Sequence, residues 1–459
     1  MRAFYDSKSK TIDDQGLRYL FTDEFKYKTW LMFEAKLAEA QAEEGFIPQW
    51  AADQIGESAK IENIDFEEMD RIYQKIGHGF VPFLKVLVKA CPEESGKYVH
   101  YGITTQNIQQ SSQMYMAWCA HKKFMHLLGQ IINNLSHLVE DNKDSVMAGR
   151  THGRHATPIT YGYKASVWLS DFIDAAERLK ESEKRVFRIM MGGAVGVYST
   201  MPEVGPEVQK RVAELVGMYE MPVPSRNLST HKLEYMMDLA LLCNICHKIG
   251  EEVYSTTLEE IAEVSEGFTP GTVGSSTMPH KINPKLAKGI IANSQKLYSL
   301  PAVGMYSAVR PYEGDSSSYM LFDGIFEESL ELTTEVLLRA EELTRTIVPH
   351  PERMLKNVLN NHGLDNTENV MMHMAKKLGK DQAHSLLYEI AIKTEREGSE
   401  FIDNLMANET IAREFDREEL EAMIDPRNYT GLASRIADEQ SKRGYAVAKA
   451  LLDEEVTVK

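Results

Sequence analysis

The lengths of the helical segments constrain the fold more than any other feature of this chain. Apolar residues recur at spacings of three and four through residues 107–141 and 161–190, and neither segment contains proline. Each segment runs for about 30 residues, whereas a typical globular helix has about 11 to 12. Helices this long pack lengthwise, because only neighbouring long helices cover their apolar stripes. The sequence therefore predicts an all-α fold built on a central bundle of long helices.

The same periodicity extends beyond these two segments. Residues 23–44 are predicted to form one amphipathic helix, and residues 230–265 and 285–345 continue the pattern. Pro301 and Pro311 are predicted to kink the last of these segments, because proline removes a backbone donor from a helix. Alternating patterns typical of strands are rare.

Changes in helix length and charge pattern divide the chain into three predicted domains. Residues 1–106 form an N-terminal helical domain, residues 107–362 the central bundle, and residues 363–459 a small C-terminal domain of shorter helices. A long, thin bundle cannot bury all its apolar faces alone. We therefore expect the protein to oligomerise.

Composition narrows the class of function. Hydrophobic residues make up 43% of the chain and charged residues 26%, which is typical of an ordered globular protein. The formal net charge is −17 and no local basic stripe is present, so small-molecule chemistry is favoured over nucleic-acid binding. No run of about 18 apolar residues exists, and the first residues lack the apolar centre of a secretion signal. We expect a cytoplasmic protein with no membrane partner.

One cysteine pattern suggests a cofactor. Cys243-Asn-Ile-Cys246-His247 has the spacing of covalent haem attachment. The pattern lies inside an apolar helical stretch, and a second pair of metal ligands is missing, so buried free thiols are favoured over a haem or zinc site. We therefore expect neither a metal nor another cofactor.

Four segments interrupt the helical pattern and combine glycines with hydroxyl, amide and imidazole groups. They are residues 75–79, 100–107, 149–158 and 267–284. Loops of this composition usually carry function. The candidate functional residues are therefore sought in these four segments.

The first two segments each allow a structural and a functional interpretation. Glycines flank His78 and leave its ring accessible, although a lone histidine is more often structural. Thr104, Thr105 and Gln106 stand immediately before or at the start of a long helix. They either cap this helix or bind a carboxylate at its positive end.

The third and fourth segments carry the candidates for acid–base chemistry. His152, beside Thr151, has the exposure and the pKa range of a general acid, although a solvated turn is the alternative. The fourth segment begins with three glycines in eight residues, which predicts the hinge of a mobile lid; they are Gly267, Gly271 and Gly274. It then supplies hydroxyl, ammonium and amide groups just before a helix, and these belong to Ser275, Ser276, Lys281 and Asn283.

The end of the fourth segment is similar to a known family. Its letters, Gly274-Ser-Ser-Thr-Met-Pro-His-Lys-Ile-Asn-Pro284, closely resemble the signature GSSxMPxKxNP of the aspartase/fumarase superfamily. The second and third segments resemble the superfamily's other blocks, HxGxTSxD and GRTHxQxAxP, in the right order. The context of His78 and residues 425–429 are most similar to the branch of adenylosuccinate lyase and 3-carboxy-cis,cis-muconate cycloisomerase. The resemblance implies three-domain, all-helical homotetramers whose active sites combine loops from three subunits.

The resemblance also implies catalytic roles. Ser276, in the signature loop of residues 266–284, would be the general base that removes a proton beside a carboxylate. The alternative is that Ser276 merely caps the following helix. His152 would be the general acid that protonates the leaving group, and His78 would orient the substrate or assist that acid.

A further set of residues is implied to bind the substrate. Lys281 and Asn283 would hold the carboxylate and its developing dianion together with Thr104 and Thr105. The dipole of the helix that begins near Pro284 is expected to assist them. The remaining predicted substrate-binding residues are Gln106, Thr151 and Ser275.

Four departures from the family pattern bear on the substrate. Lys288 stands where adenylosuccinate lyases carry a glutamate, so the usual carboxylate partner of the acid histidine is absent. Asn107 replaces the usual Asp, and Ile282 replaces a common Arg. Residues 316–320 differ from the Ser-Ser-Val-Glu-Arg pattern that helps to bind the nucleotide phosphate. The departures argue against recognition of AMP.

The sequence therefore favours a cofactor-independent lyase that eliminates an amine from a small succinyl-type dicarboxylate and releases fumarate. The alternatives are a carboxymuconate-type cycloisomerase, which runs the same proton chemistry within one molecule, and an inactive scaffold. Retention of Ser276, Lys281, Asn283 and His152 argues against the scaffold.

Overall fold

The structure is a computed structural model that describes residues 8–268 and 274–454. Helices account for most of it. They are α1 (Asp23–Glu43), α2 (Gln49–Ser58), α3 (Phe66–Ile76), α4 (Val81–Ala90), α5 (Glu93–Gly96), α6 (Thr105–Asp141), α7 (Tyr161–Val186), α8 (Gly205–Val216), α9 (Thr230–Thr256), α10 (Lys285–Leu297), α11 (Leu300–Ala308), α12 (Ser316–Thr346), α13 (Pro351–Leu359), α14 (Thr367–Leu378), α15 (Lys380–Glu397), α16 (Phe401–Met406), α17 (Glu409–Glu414), α18 (Arg417–Ile424) and α19 (Ala433–Asp453).

Six short strands form three two-stranded ladders. They are β1 (Val146–Thr151), β2 (Arg154–Thr160), β3 (Arg188–Ile189), β4 (Tyr219–Glu220), β5 (Val264–Ser265) and β6 (Val348–Pro349). Strands β1 and β2 form an antiparallel hairpin, β3 and β4 pair in parallel, and β5 and β6 pair antiparallel. Because these ladders are short, the predicted all-α class is confirmed.

The long helices build the main core. Helix α6 has 37 residues, and it packs with α7, α9, α10 and α12 in one bundle. The apolar positions that recur at helical spacing face this core, and Leu127, Leu239 and Leu337 are fully buried in it. Burying one such side chain contributes about 1.5 to 3 kcal/mol. The predicted central bundle is therefore present.

The last helix returns to this bundle. Helix α19 packs against α6 and α7. A Cβ atom at Gly444 of α19 would lie 2.1 Å from Ser136 Oγ of α6, so α19 and α6 approach closely at this glycine. Helices α14 to α18 surround a second, smaller core that includes Met374, Phe401 and Leu420. The domain limits after residues 106 and 362 stay predictions.

Three predictions of long helices were wrong in part: two extended too far, and the third joined separate helices into one. The segment 161–190 leaves the helix after Val186, and the segment 230–265 leaves it after Thr256. The segment 285–345 is three helices rather than one kinked helix. Pro301 lies in the first turn of α11, where its missing N–H costs no hydrogen bond, and Pro311 lies between α11 and α12. Proline therefore separates these helices instead of bending one.

Candidate active site

The candidate acid His152 lies at the tip of the β1–β2 hairpin. His152 and Gly153 link the two strands, and their φ angles are 53° and 73°, so both are left-handed as a type I′ turn requires. His152 is exposed there, and so is Thr151, the last residue of β1. The sequence predicted a turn between two helices; the structure shows a hairpin that projects the ring into solvent.

Two buried carboxylates hold this hairpin on either side of its tip. Arg150 donates from Nη1 and Nη2 to the two carboxylate oxygens of Glu263 over 2.8 and 2.6 Å, and Glu263 is fully buried. This hydrogen-bonded pairing raises the pKa of Arg150. On the opposite strand, His155 Nδ1 lies 3.2 Å from Oδ2 of the buried Asp365. Arg150 and His155 thus have buried acidic partners, whereas Arg154 pairs with Glu395 at the surface.

The second segment forms the start of α6. Asn107 Oδ1 accepts hydrogen bonds from the N–H of Thr104 over 3.3 Å and from the N–H of Gly193 over 3.0 Å. The N–H groups of Thr105 and Gln106 belong to the first turn of α6, where the helix itself supplies no acceptor. Capping and anion binding are therefore compatible, because Asn107 satisfies one N–H and the first helical turn leaves others available.

The turn before α6 rests on a histidine that sequence reasoning left without a role. His100 Nδ1 lies 2.7 Å from Oε1 of Glu34, whose side chain is fully buried in α1. His100 itself has a φ angle of 57°. This contact fixes the turn that presents Thr104 and Thr105, and the 66 residues between its partners left no local pattern to predict it.

His78 has a structural contact and an exposed ring. Its Nδ1 accepts hydrogen bonds from the N–H groups of Phe80 and Val81, both over 3.1 Å, at the start of α4. Nδ1 is thus engaged with the backbone, and Nε2 is the ring nitrogen left for a ligand. The side chain is otherwise exposed. His78 thus makes the contact that a structural role requires, and its role toward a substrate stays a prediction.

The tip of the signature loop is a compact turn. Asn283 Nδ2 donates to the carbonyl oxygen of Gly274 over 2.9 Å and closes the tip. Ser275 Oγ accepts from the N–H groups of Thr277 and Met278 over 3.3 and 3.1 Å. Ser275 and Asn283 are thus engaged in folding the tip. The predicted glycine hinge includes Gly271, which lies outside the described residues.

The same turn leaves the candidate base exposed. Ser276 and Lys281 are exposed on the tip. Helix α10 begins at Lys285 after Pro284, so Ser276 does not cap it, and that alternative is wrong. The arrangement presents a hydroxyl and an ammonium group on one short turn.

The helix that follows the loop differs from the expectation. Oε2 of Glu266 accepts from the N–H groups of Lys285 and Leu286 over 2.7 and 3.0 Å, and Oε1 accepts from Ala287 over 2.7 Å. Burial raises the pKa of Glu266, and these three hydrogen bonds oppose the shift. The expectation that this helix dipole assists the substrate carboxylate is wrong, because the chain's own carboxylate occupies the positive helix end.

The serines at the start of α12 also have partners within the chain. Ser318 donates to Asp315 Oδ2 from its N–H over 2.8 Å and from Oγ over 2.9 Å, and Ser317 Oγ donates to the same oxygen. Asp315 therefore caps α12 with a negative charge. A phosphate at this turn would meet that carboxylate, which agrees with the departure from the nucleotide-binding pattern.

One chain does not bring the predicted site residues together. Within residues 8–268 and 274–454, no hydrogen bond joins segments 100–107, 149–158 and 274–284 to one another. The cavity beside Gly274 and Asn283 has a volume of about 190 Å³ and contains no residue of the other two segments. Each segment is fixed separately to the bundle.

The described residues lack both a cluster of metal ligands and a helix that could cross a membrane. They contain no group of three or more His, Cys, Asp or Glu side chains placed to hold a metal ion. Cys243 and Cys246 are buried in α9, and burial raises the pKa of Cys243 to about 12. No described helix is both long enough and apolar enough to cross a membrane.

Proteins of known sequence and structure resemble this chain along most of its length. The family profile described as Lyase matches residues 9–296, and the profile described as Adenylosuccinate lyase C-terminus matches residues 363–440. Adenylosuccinate lyase of Methanocaldococcus jannaschii is 33% identical over 429 residues, which cover 93% of each chain. N-acetyl-S-(2-succino)cysteine lyase of Enterococcus italicus is 32% identical and aligns over 92% of this chain and 93% of its own.

A solved structure gives the same result for the fold. The 3-carboxy-cis,cis-muconate lactonizing enzyme of Pseudomonas putida has a TM-score of 0.87 and 25% identity, covering 95% of this chain and 97% of its own. The matches confirm the predicted resemblance and the predicted class of enzyme, a lyase of the superfamily similar to adenylosuccinate lyase.

Proposed function

Because this chain belongs to the aspartase/fumarase superfamily, in the branch of adenylosuccinate lyase, we propose that it eliminates an amine from a succinyl-type dicarboxylate and releases fumarate without a cofactor. The observation that carries the proposal is the folded tip of the signature loop. Asn283 closes this tip, and Ser276 and Lys281 are exposed on it.

In the proposed reaction, Ser276 removes the proton from the carbon beside a substrate carboxylate. A second negative charge then develops on that carboxylate, and Lys281 stabilises it with Thr104 and Thr105 at the start of α6. His152 protonates the leaving group on the neighbouring carbon. A serine hydroxyl is a poor base in water, so Ser276 must be desolvated and surrounded by donors when substrate is bound.

We propose that the site is shared between subunits of a homotetramer. The separate anchoring of the three segments in one chain supports this arrangement. A second support is a group of strongly exposed apolar side chains around the start of α12, where Tyr306 is 82% exposed, Tyr312 80% and Met320 83%. Several large, exposed apolar side chains in one region favour an interaction site there.

The proposed substrate is a small dicarboxylate other than a nucleotide, because Asp315 occupies the serine-rich turn at the start of α12. With a net charge of −17, the proposed enzyme has neither a nucleic-acid nor a membrane partner, and a cytoplasmic location is part of the same proposal.

Two other leaving groups have specific support. A relative that covers most of this chain is named for a succinylated cysteine, which favours a sulfur leaving group as a second candidate. The similarity to the muconate lactonizing enzyme favours an intramolecular carboxylate as a third. All three share removal of a proton beside a carboxylate.

A substrate panel separates these candidates. The purified protein is incubated with succinylated amines, an S-succinylated thiol and a carboxymuconate, and ultraviolet absorbance follows the conjugated diacid. Fumarate from a succinylated amine supports the proposal. Turnover of the thiol alone or of the muconate alone replaces it with that candidate, and no turnover favours an inactive scaffold. A mock purification from cells that carry the empty vector controls for contaminating lyases.

A further inference from the structure

The strand β5 lies between two carboxylates that contact different catalytic segments. Glu263 precedes the strand and Glu266 follows it, so they stand three residues apart. Strand β5 pairs with β6, and the N–H of His350 donates to the carbonyl oxygen of Glu263 over 2.9 Å. The backbone between the two carboxylates is therefore held firmly against the body of the protein.

Glu263 fixes the hairpin that carries the candidate acid. Its carboxylate accepts both parallel hydrogen bonds from Arg150 and a third, over 2.9 Å, from Asn357 Nδ2. Arg150 stands two residues before His152 on β1. A bidentate pairing constrains orientation as well as distance, so Glu263 limits where the hairpin tip can lie.

Glu266 closes the base of the loop that carries the candidate base. Its carboxylate accepts from three consecutive N–H groups of α10, so the residue at the start of the signature loop is joined to the residues just after its end. The hydrogen bond between Asn283 and Gly274 holds the tip of the loop together. Hydrogen bonds therefore hold the described part of the loop both at its base and at its tip.

We propose that Glu263 and Glu266 are positioning residues, and that β5 is the common support which places the acid-bearing hairpin and the base-bearing loop. The inference rests on the proposed function, because it takes His152 as the acid and Ser276 as the base. Neither glutamate touches substrate in this account. Each acts through the segment that it holds, and so each affects a different step of the elimination.

Two isosteric variants test this division. Glu266→Gln keeps the size of the side chain but places an amide N–H group against the N–H groups of α10, which loosens the loop. We expect kcat to fall about 10²-fold with KM changed only a few-fold, because a misplacement of about 1 Å has that effect on catalysis. The deuterium isotope effect on removal of the substrate proton should rise, because this step becomes more rate-limiting.

Glu263→Gln should give a different signature. The hairpin loses one of the paired hydrogen bonds to Arg150, so protonation of the leaving group slows. We expect kcat to fall more for a basic leaving group than for a weakly basic one, with no rise in the isotope effect. A purely structural role would lower activity in both variants without this split.

A nearby carboxylate provides the matched control. Glu328 of α12 also pairs with α10, but it contacts Lys296 near the C-terminal end of this helix, and it does not line the cavity beside the loop. Glu328→Gln should keep kcat and the isotope effect of the wild type. Circular dichroism checks that every variant is folded, and Glu266→Asp and Arg150→Lys replace a Gln variant that does not fold.

The outcomes separate this inference from the proposed function. If the wild type turns over substrate and Glu266→Gln has the same kcat and isotope effect, the positioning roles are overturned but the proposed function is not. The same conclusion follows if both Gln variants show the same changes in kcat, isotope effect and leaving-group dependence. A wild-type protein that forms no fumarate overturns the proposed function. A raised isotope effect confined to the Glu266 variants, with a leaving-group dependence confined to Glu263→Gln or Arg150→Lys, supports the inference.

Discussion

Asp238 is a buried carboxylate whose ionisation should weaken the fold. It lies in α9, its side chain is 8% exposed, and Oδ2 has no hydrogen-bond partner among the described residues. Burial is the main cause that raises its pKa to about 6, and neighbouring Glu234 adds to the shift. We predict that Asp238→Asn, which keeps the shape and removes the charge, stabilises the protein at neutral and alkaline pH.

The sign and size of this effect follow from linkage. A carboxyl whose pKa is raised on folding favours the folded state while it is protonated, and this contribution is lost as the pH rises through 6. A shift of about two pKa units corresponds to about 3 kcal/mol. The free energy of unfolding of Asp238→Asn should therefore exceed that of the wild type by up to about 3 kcal/mol at pH 8 and by about half as much at pH 5.

Urea unfolding at the two pH values, followed by circular dichroism, measures the difference. Asp171→Asn is the matched control, because Asp171 is half-exposed and pairs at the surface with Lys248 of the same helix α9. It should change stability by less than about 1 kcal/mol. An Asp238→Asn protein that is less stable than the wild type at pH 8, or that gains equally at both pH values, would refute the reasoning.

Three further predictions concern activity and assembly. His152→Ala should slow turnover more for a basic leaving group than for a weakly basic one, and an equal loss for both in steady-state kinetics would remove its role as the acid. Light scattering should show a particle of four times 52.0 kDa, and an active monomer would contradict shared sites. Activity should survive exhaustive chelation, and a loss that one added metal restores would show a required ion.

Helical periodicity predicted the fold well where one face is continuously apolar. The prediction of 23–44 matches α1 closely, and the start of the long helix at 107 lies two residues from that of α6. Helix ends were less accurate. Short strands and turns after the helix ends also bury apolar side chains, namely those of Phe187, Ile189, Met190 and Val264. Periodicity alone does not distinguish these cases.

The candidate site, like the fold, could be predicted from the sequence only in part. The loop residues His152 and Ser276 could be found because their motifs are local. The β1–β2 hairpin was missed, since its short strands carry no alternation of apolar and polar residues. The anchors Glu263 and Asp365 lie 113 and 210 residues from their partners, and no local signal distinguishes them from other acidic residues. Which residues of another subunit would complete a shared site also cannot be predicted from the sequence of one chain.

The turnover of Ser276→Ala tests the proposed elimination most directly. Ser276 is exposed, and its side chain makes no hydrogen bond to the described residues, so its removal should leave the loop tip intact. We expect kcat on the best succinyl substrate to fall about 10²-fold or more, with KM little changed, because a general base contributes about that much. Thr277→Ala, one residue away on the same turn, should keep kcat within a few-fold of the wild type. A Ser276→Ala enzyme with near-normal turnover would contradict the proposed base and the elimination built on it.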